Sequence, residues 1–397
     1  MSADSGRLHA LDGLRASMML LGLVLHSSTS YTATPLGAAW PYQDSHTSPL
    51  LDIVVFVIHL FRMPVFFIMA GFFAALLYFR DGRAAFLANR IRRVLVPLVC
   101  AWVVIYPFVA AGFAYALSGG GALNLAGLRA AFATVDDAPS LVHLWFLYDL
   151  MFFYVLAFLL APLLLTHAPA AMRTIADVFA RTASGYPGLL LCVAVTTLTL
   201  LPMEKPALET STSFVPSPIV LAAYGVFFLF GWILFTRRHV LGEFTRRPLL
   251  SLAIAVVGAV VYLVVAVPYF PIPDRAPVLA YASASLAIWL WSYAVITLFL
   301  AYAESPRPLQ RYMADGSYWI YLIHLPFTIW MPGVLAPLAL PALVKCGIVL
   351  SVTTAVTAGT YYLFVRSTWI GEALNGRRYA RRPAEPRPVE VPATMGS

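Results

Sequence analysis

Charge is what this sequence has least of. Only 11% of its 397 residues are Asp, Glu, Lys or Arg, and 61% are hydrophobic. A soluble protein carries roughly 25% charged residues, so this chain cannot cover a water-facing surface and reads as an integral membrane protein. Cysteine is scarce too. Cys100, Cys192 and Cys346 each sit alone in apolar runs. That spacing excludes a disulfide framework or a cysteine zinc site and suits small buried hydrophobes. Also absent are two histidines at i and i+4 beside a carboxylate, a Walker loop, a dinucleotide fingerprint and a Gly-x-Ser-x-Gly elbow. The expectation is therefore no metal, no permanently bound cofactor and no hydrolase-type serine.

Long apolar runs are plentiful. A spanning helix takes about 20 mostly apolar residues, and ten runs qualify: 14–34, 51–78, 94–117, 142–166, 187–201, 217–236, 249–267, 278–302, 317–331 and 342–365. The fifth and ninth are short. The pattern predicts an all-α integral membrane protein of about ten transmembrane helices, one domain over residues 1–366 without an internal repeat. Residues 367–397 read as a basic, Pro-rich, disordered tail against anionic lipid. With the N-terminus in the cytoplasm, the outer loops hold only Arg129, Lys205, Arg275 and Lys345, and Arg62 falls inside a span. The other 21 of the 26 basic residues lie on the inner side, which places both termini in the cytoplasm. The net charge of +8 is thus a membrane-topology signal, and no nucleic-acid partner is expected. Arg7 and Arg15 before an apolar stretch, with Gly37-Ala38-Ala39 beyond, also outline a signal peptide. The retained helix is preferred, because the topology needs that segment.

Ionisable residues inside spans are costly, so they mark candidate sites. In Leu11-Asp12-Gly13-Leu14-Arg15 and the run to His26, Arg15 and His26 are eleven residues apart. Eleven helical steps bring them to one face, about 16 Å apart along the axis. In the second span, His59 and Arg62 precede Pro64, with Asp52 a further seven residues back; the three share a broad face. Arg62 is either bonded to neighbouring backbone or part of a site. The stretch Arg90-Ile91-Arg92-Arg93 is either positive-inside anchoring or a phosphate clamp. His143, Trp145 and Tyr148 open the fourth span, where the deeper Asp149 needs a partner such as Arg62 or a histidine. Ser317, Tyr321, His324 and Thr328 form one polar stripe, which serves a site or glues helices together.

Four stretches together resemble the acyltransferase 3 family of membrane acyltransferases. They are Leu11-Asp12-Gly13-Leu14-Arg15 with His26; Phe66-Phe67-Ile68-Met69-Ala70-Gly71-Phe72-Phe73; Arg90-Ile91-Arg92-Arg93-Val94-Leu95-Val96-Pro97; and Ser317-Tyr318-Trp319-Ile320-Tyr321-Leu322-Ile323-His324-Leu325-Pro326. His143-Leu144-Trp145-Phe146-Leu147 is similar to a fifth. The His59-x-x-Arg62-Met63-Pro64 element resembles the glucan-biosynthesis branch of that family. Two positions depart from the wider pattern. Ala70 stands where many members have Ser, and Asp149 is alone where sugar O-acetylases often carry paired Glu.

The resemblance implies transfer of an acyl group from cytoplasmic acyl-CoA to a hydroxyl of an extracytoplasmic glycan or similar acceptor, in a bacterial-type inner membrane. It makes Arg15 and His26 the functional pair. On that basis Arg15, Arg90, Arg92 and Arg93 are expected to hold CoA phosphates, with His324 supporting the donor side. His26 is expected to act as general base or transient acyl carrier. Arg62 and His59 would stabilise the oxyanion, and His143, Trp145 and Asp149 would shape the acceptor side. A transporter or flippase is the competing reading, since kinked helices and intramembrane charges also mark substrate pathways. A non-catalytic scaffold would leave Arg62 and His26 without a use.

Overall fold

The computed structural model describes residues 3–121, 123–133, 139–182, 185–245, 247–302, 308–376 and 378–379. Arg246, Arg307, Arg377 and residues 380–397 of the expected tail lie outside the described residues, whereas the start of that tail, expected to be disordered, forms a short helix at Trp369–Asn375. In chain order the helices are α1 (Ala3–Thr29), α2 (Pro49–Asp81), α3 (Arg83–Arg90), α4 (Val96–Leu117), α5 (Leu125–Ala133), α6 (Trp145–His167), α7 (Pro169–Thr182), α8 (Tyr186–Leu200), α9 (Pro218–Thr236), α10 (Pro248–Val265), α11 (Val278–Tyr302), α12 (Pro308–Leu335), α13 (Ala342–Thr360) and α14 (Trp369–Asn375). Two π-helical turns, Ile91–Leu95 and Tyr361–Val365, join α3 to α4 and extend α13. Among the described residues there is no strand. The protein is an all-α polytopic membrane protein.

Eight segments are long and apolar enough to cross a membrane: α2, α3 with α4, α6, α9, α10, α11, α12 and α13. The bent pair α7 and α8 makes a ninth if counted as one span. The expected fifth span is α8, whose 15 residues reach only about 22 Å, short of the roughly 30 Å hydrocarbon core. The expected ninth is part of a 28-residue helix, α12. Helix α1 has the length, 27 residues, but is not among the eight, because its sequence is too polar.

That polarity decides where α1 sits. It packs among α2, α11, α12 and α13, with Leu11, Leu14, Met18, Ser27 and Ser28 buried. Helices farther from it turn apolar side chains outward instead, among them Val103 and Val104 of α4, Leu159 and Leu163 of α6, and Val257 and Val264 of α10. These are lipid-facing surfaces. Helices α2 and α9 approach closely at two glycines: a Cβ on Gly71 would strike the Phe228 carbonyl, and one on Gly231 the Ile68 carbonyl. Small residues at such crossings let backbones meet where no hydrophobic driving force is available between helices.

The loop from Tyr31 to Ser48 folds over the far end of α1. Asp44 donates its N–H to the Ser30 carbonyl (2.8 Å) and Ser48 donates to that of Tyr31 (2.9 Å). Asp52 does not join His59 and Arg62 as expected. Its carboxylate accepts the N–H groups of Ala33 (2.7 Å) and Thr34 (2.9 Å), so it holds this loop. The loop is pinned to α13 by a buried ion pair, with Lys345 Nζ 2.9 and 3.0 Å from the Asp44 oxygens. Burial and the adjacent Asp44 carboxylate raise the Tyr42 phenol to about 12, so it stays protonated and donates to Asp44.

Removing one member of a buried pair strands the other charge. Lys345→Met is therefore expected to cost about 3–5 kcal/mol, read by unfolding in mixed micelles, and adding Asp44→Leu should recover most of it. A Lys345→Met protein as stable as the parent would mean that the pair does not hold the loop.

Candidate active site

Arg15 and His26 do lie on one face of α1, and each opens on a cavity. Arg15 lines the larger one, about 360 Å³, together with Arg90, Arg93, Tyr154 and Tyr318. Its guanidinium bonds to Asp12 one turn earlier (2.7 Å) and lies over the Phe73 ring. Arg90 packs on the Phe86 and Tyr154 rings, and its Nε is buried without a partner. The Tyr318 hydroxyl donates to the Arg93 carbonyl (2.9 Å), steadying the π-helical turn. Clustered guanidinium groups at a half-open cavity are suited to binding an anion with several phosphates.

His26 lines the second, smaller cavity of about 30 Å³, with Arg62, His143, Trp145, Tyr321 and the rings of Phe66 and Phe146. Those two phenyl rings, 4.3 Å apart, line both cavities and form the partition between them. Room for about two water molecules leaves this chamber fitting only a small group.

Three histidines meet here, and hydrogen bonding fixes how. His324 Nδ1 lies 2.7 Å from the carbonyl of Tyr321 in its own helix, so that nitrogen carries the proton. Its Nε2 is then an acceptor, and it lies 2.8 Å from His26 Nδ1, which must donate. That leaves His26 Nε2 as a free base. On the far side His26 stacks on Trp40 of the loop (5.7 Å between centroids), whose indole N–H donates to Ser30 (2.8 Å).

Pro326 explains the third histidine. A proline in α12 cannot donate to the residue four before it, so the Leu322 carbonyl is free. His143 Nε2 lies 3.2 Å from that oxygen and 3.1 Å from that of Tyr321, while the Tyr321 hydroxyl returns a bond to the His143 carbonyl (2.8 Å). With Nε2 donating, His143 Nδ1 is an acceptor, buried and unpartnered. The chain enters this turn through Val142 at φ +45°. A β-branched residue there stores about 1–3 kcal/mol of strain, as functional turns do.

Arg62 reaches from α2 to α1, where its Nε donates to the Met18 carbonyl (3.0 Å). Gly22 makes room for it, since a Cβ there would collide with the guanidinium. The group is 6% exposed, lines the chamber and has no carboxylate partner among the described residues.

Several expected residues lie elsewhere. His324 is not on the donor side with the arginines; it is the partner of His26. His59, three steps from Arg62, is rotated about 60° from it, exposed, and bonded to its own helix at Val55 (2.9 Å). Arg92 is not among the residues that line the cavity. Asp149 is buried but meets neither Arg62 nor a histidine, and its Oδ2 has no partner. Trp145 lines the chamber and packs on Phe67 and Tyr224. The sequence reading missed Trp40, Asp12 and the Phe66–Phe146 partition. Asp12 could have been found from its i,i+3 spacing to Arg15; a single loop Trp gives no such signal. Among the described residues no group of three could hold a metal ion.

Residues 8–364 match the acyltransferase domain family. The chain belongs to the acyltransferase 3 family. Glucans biosynthesis protein C of Escherichia coli O157:H7 is 25% identical over 346 residues, 83% of this chain and 84% of that protein. The proteins of the same name from Escherichia coli (strain K12) and Salmonella heidelberg (strain SL476) are 34% and 33% identical over 95 and 100 residues. In those alignments the chain spans about a quarter of the relatives' length. No solved structure matches. The protein is thus a multi-pass membrane acyltransferase, and the family's span takes in the partition, both cavities' arginines and all three histidines.

Gly22→Ala tests whether this acyltransferase needs its Arg62 contact. In an open helix that change stabilises by about 1 kcal/mol; here it is expected to cost about 1–3 kcal/mol by displacing a charged hydrogen bond. Pairing it with Arg62→Met should restore stability. Thermal unfolding of the four proteins decides, and a stabilising Gly22→Ala would remove Arg62 from the packing argument.

Proposed function

We propose that the protein moves a short acyl group from cytoplasmic acyl-CoA to a hydroxyl of an extracytoplasmic glycan, in a bacterial-type inner membrane with both termini inside. The observation that carries this reading is the order of groups along α1. A polyanion-binding cavity, a closed aromatic partition, a histidine base and an aromatic-capped loop follow one another from Arg15 to Trp40. The glucan in the relatives' names supports a glycan as acceptor.

In this reading Arg15, Arg90 and Arg93 hold the CoA phosphates, and the pantetheine arm passes Phe66 and Phe146 to bring the thioester into the chamber. His26 Nε2 takes the proton of the acceptor hydroxyl, whose oxygen attacks the thioester carbonyl. The Arg62 guanidinium faces the oxyanion that develops. The intermediate collapses to an ester, the C–S bond breaks, and the departing thiolate takes the proton from His26. His324 keeps His26 in the reactive tautomer throughout. His143 Nδ1 accepts a second hydrogen bond from the acceptor. A transporter would not need a base held in one tautomer beside an unpaired guanidinium.

The test supplies radiolabelled acyl-CoA to proteoliposomes and follows label onto a glucan. His26→Ala is expected to abolish transfer, and Arg62→Leu to lower kcat about 10²–10³-fold, as loss of an oxyanion donor does. A His26→Ala protein that still transfers would overturn the mechanism. A second arm concerns the partition: Phe146→Ala should raise acyl-CoA hydrolysis without acceptor about tenfold by admitting water. Unchanged hydrolysis would reduce the two rings to packing.

A further inference from the structure

The mouth of the donor cavity has a wall that comes from outside the family match, which ends at residue 364. Past the π-helical turn, Thr368 caps the Ile370 N–H (3.3 Å) and starts α14, which ends at Gly376 in the left-handed conformation, φ +78°. Asn375 Nδ2 donates to the Asp315 carbonyl (3.0 Å) and so ties this short helix to α12. Gly376 passes so near the Arg93 guanidinium that a Cβ would collide with it. Tyr379 donates its N–H to the Arg366 carbonyl (3.0 Å), and its ring receives the Arg366 guanidinium at 5.2 Å. Leu374, Asn375 and Tyr379 line the same cavity as Arg15, Arg90 and Arg93.

We propose that α14 with Gly376 and Tyr379 forms the subsite for the nucleoside end of the donor, with Tyr379 and Asn375 reading a purine and Arg93 a neighbouring phosphate. The inference rests on the acyl-CoA reading. If the thioester must reach His26 past Phe146, the pantetheine arm runs inward along the cavity and the nucleoside stays at its mouth. The groups there suit a base. An aromatic face stacks on any purine, and a carboxamide pairs with the donor and acceptor edge of adenine. Asn375 spends one amide hydrogen on Asp315, which fixes its plane; its oxygen and second hydrogen have no partner among the described residues. Gly376 brings Arg93 against the same segment, so phosphate and base are read by adjoining groups.

Binding of coenzyme A, adenosine 3′,5′-bisphosphate and pantetheine to the full-length protein in phosphatidylcholine nanodiscs tests this by calorimetry. The parent should bind coenzyme A and the bisphosphate. Tyr379→Ala should weaken both about tenfold or more, the loss of one stacked base, and leave pantetheine unchanged. Tyr379→Phe should bind as the parent does, and Asn375→Ala should weaken the bisphosphate with pantetheine again unaffected. Unchanged pantetheine binding also reports that each variant is folded. If Tyr379→Ala and Asn375→Ala bind the bisphosphate as tightly as the parent while Arg15→Ala loses it, the subsite is overturned and the donor reading stands. If the parent binds neither coenzyme A nor the bisphosphate, the donor reading fails and the subsite with it.

Discussion

A helix that carries Asp12, Arg15, His26 and a run of serines cannot face lipid, and much of this fold follows from that one constraint. Each polar group left against hydrocarbon costs several kcal/mol, so α1 must be enclosed. The enclosing helices meet it with a polar stripe from α12 and one arginine from α2, and turn Val and Leu to the membrane on their outer faces. The glycine crossing of α2 and α9 serves the same end, holding the enclosure together by close backbone contact. Buried polarity here is the organising feature of the core, where a soluble protein would use apolar area.

Enclosure alone would leave orphaned groups, and the chamber shows how they are shared out. Pro326 releases a carbonyl, His143 takes it up, and Tyr321 returns a bond to the His143 backbone. His324 spends its proton on its own helix and so presents a lone pair to His26. Each step determines the next, and the outcome is a base whose free nitrogen faces a small cavity beside a guanidinium with no counter-ion among the described residues. An unpaired buried cation is expensive, but it stabilises negative charge that appears only during reaction, without reorganising when it does. The strained backbone at Val142 belongs to the same economy, since it aims His143 inward.

Much of this was legible in the sequence, and the limits have physical reasons. Composition and run length gave the all-α membrane class, and helical arithmetic put Arg15 with His26 and aligned Ser317, Tyr321 and His324 on α12. What could not be read was which end of the molecule each stripe serves. His324 looked like a donor-side group because only the packing of α12 against α1 decides its partner. Asp52 and His59 shared a broad face with Arg62 by periodicity, yet one was drawn to loop N–H groups and the other to its own helix. Trp40 was invisible, because a loop position is set by tertiary bonds to Ser30 and α13, which no local period encodes. Apolar length alone selects eight segments, or nine with the bent pair, because α8 is short and α1 is polar.

The two boundaries of the chamber differ in kind, and the difference bears on how a reaction crosses the membrane. The inner boundary is two phenyl rings, which can swing about single bonds with no hydrogen bond lost. The outer boundary is Trp40, tied to Ser30, on a loop held by Asp52 and by a buried ion pair to α13. The first is held by ring packing alone; opening the second breaks charged and hydrogen-bonded contacts. In the transfer proposed above, a donor arm would displace only apolar packing, whereas an acceptor entering by the loop would have to supply binding energy to move it. On that proposal the arrangement would keep a thioester from water until an acceptor is seated, and the hydroxyl that moves Trp40 would be the one that meets His26.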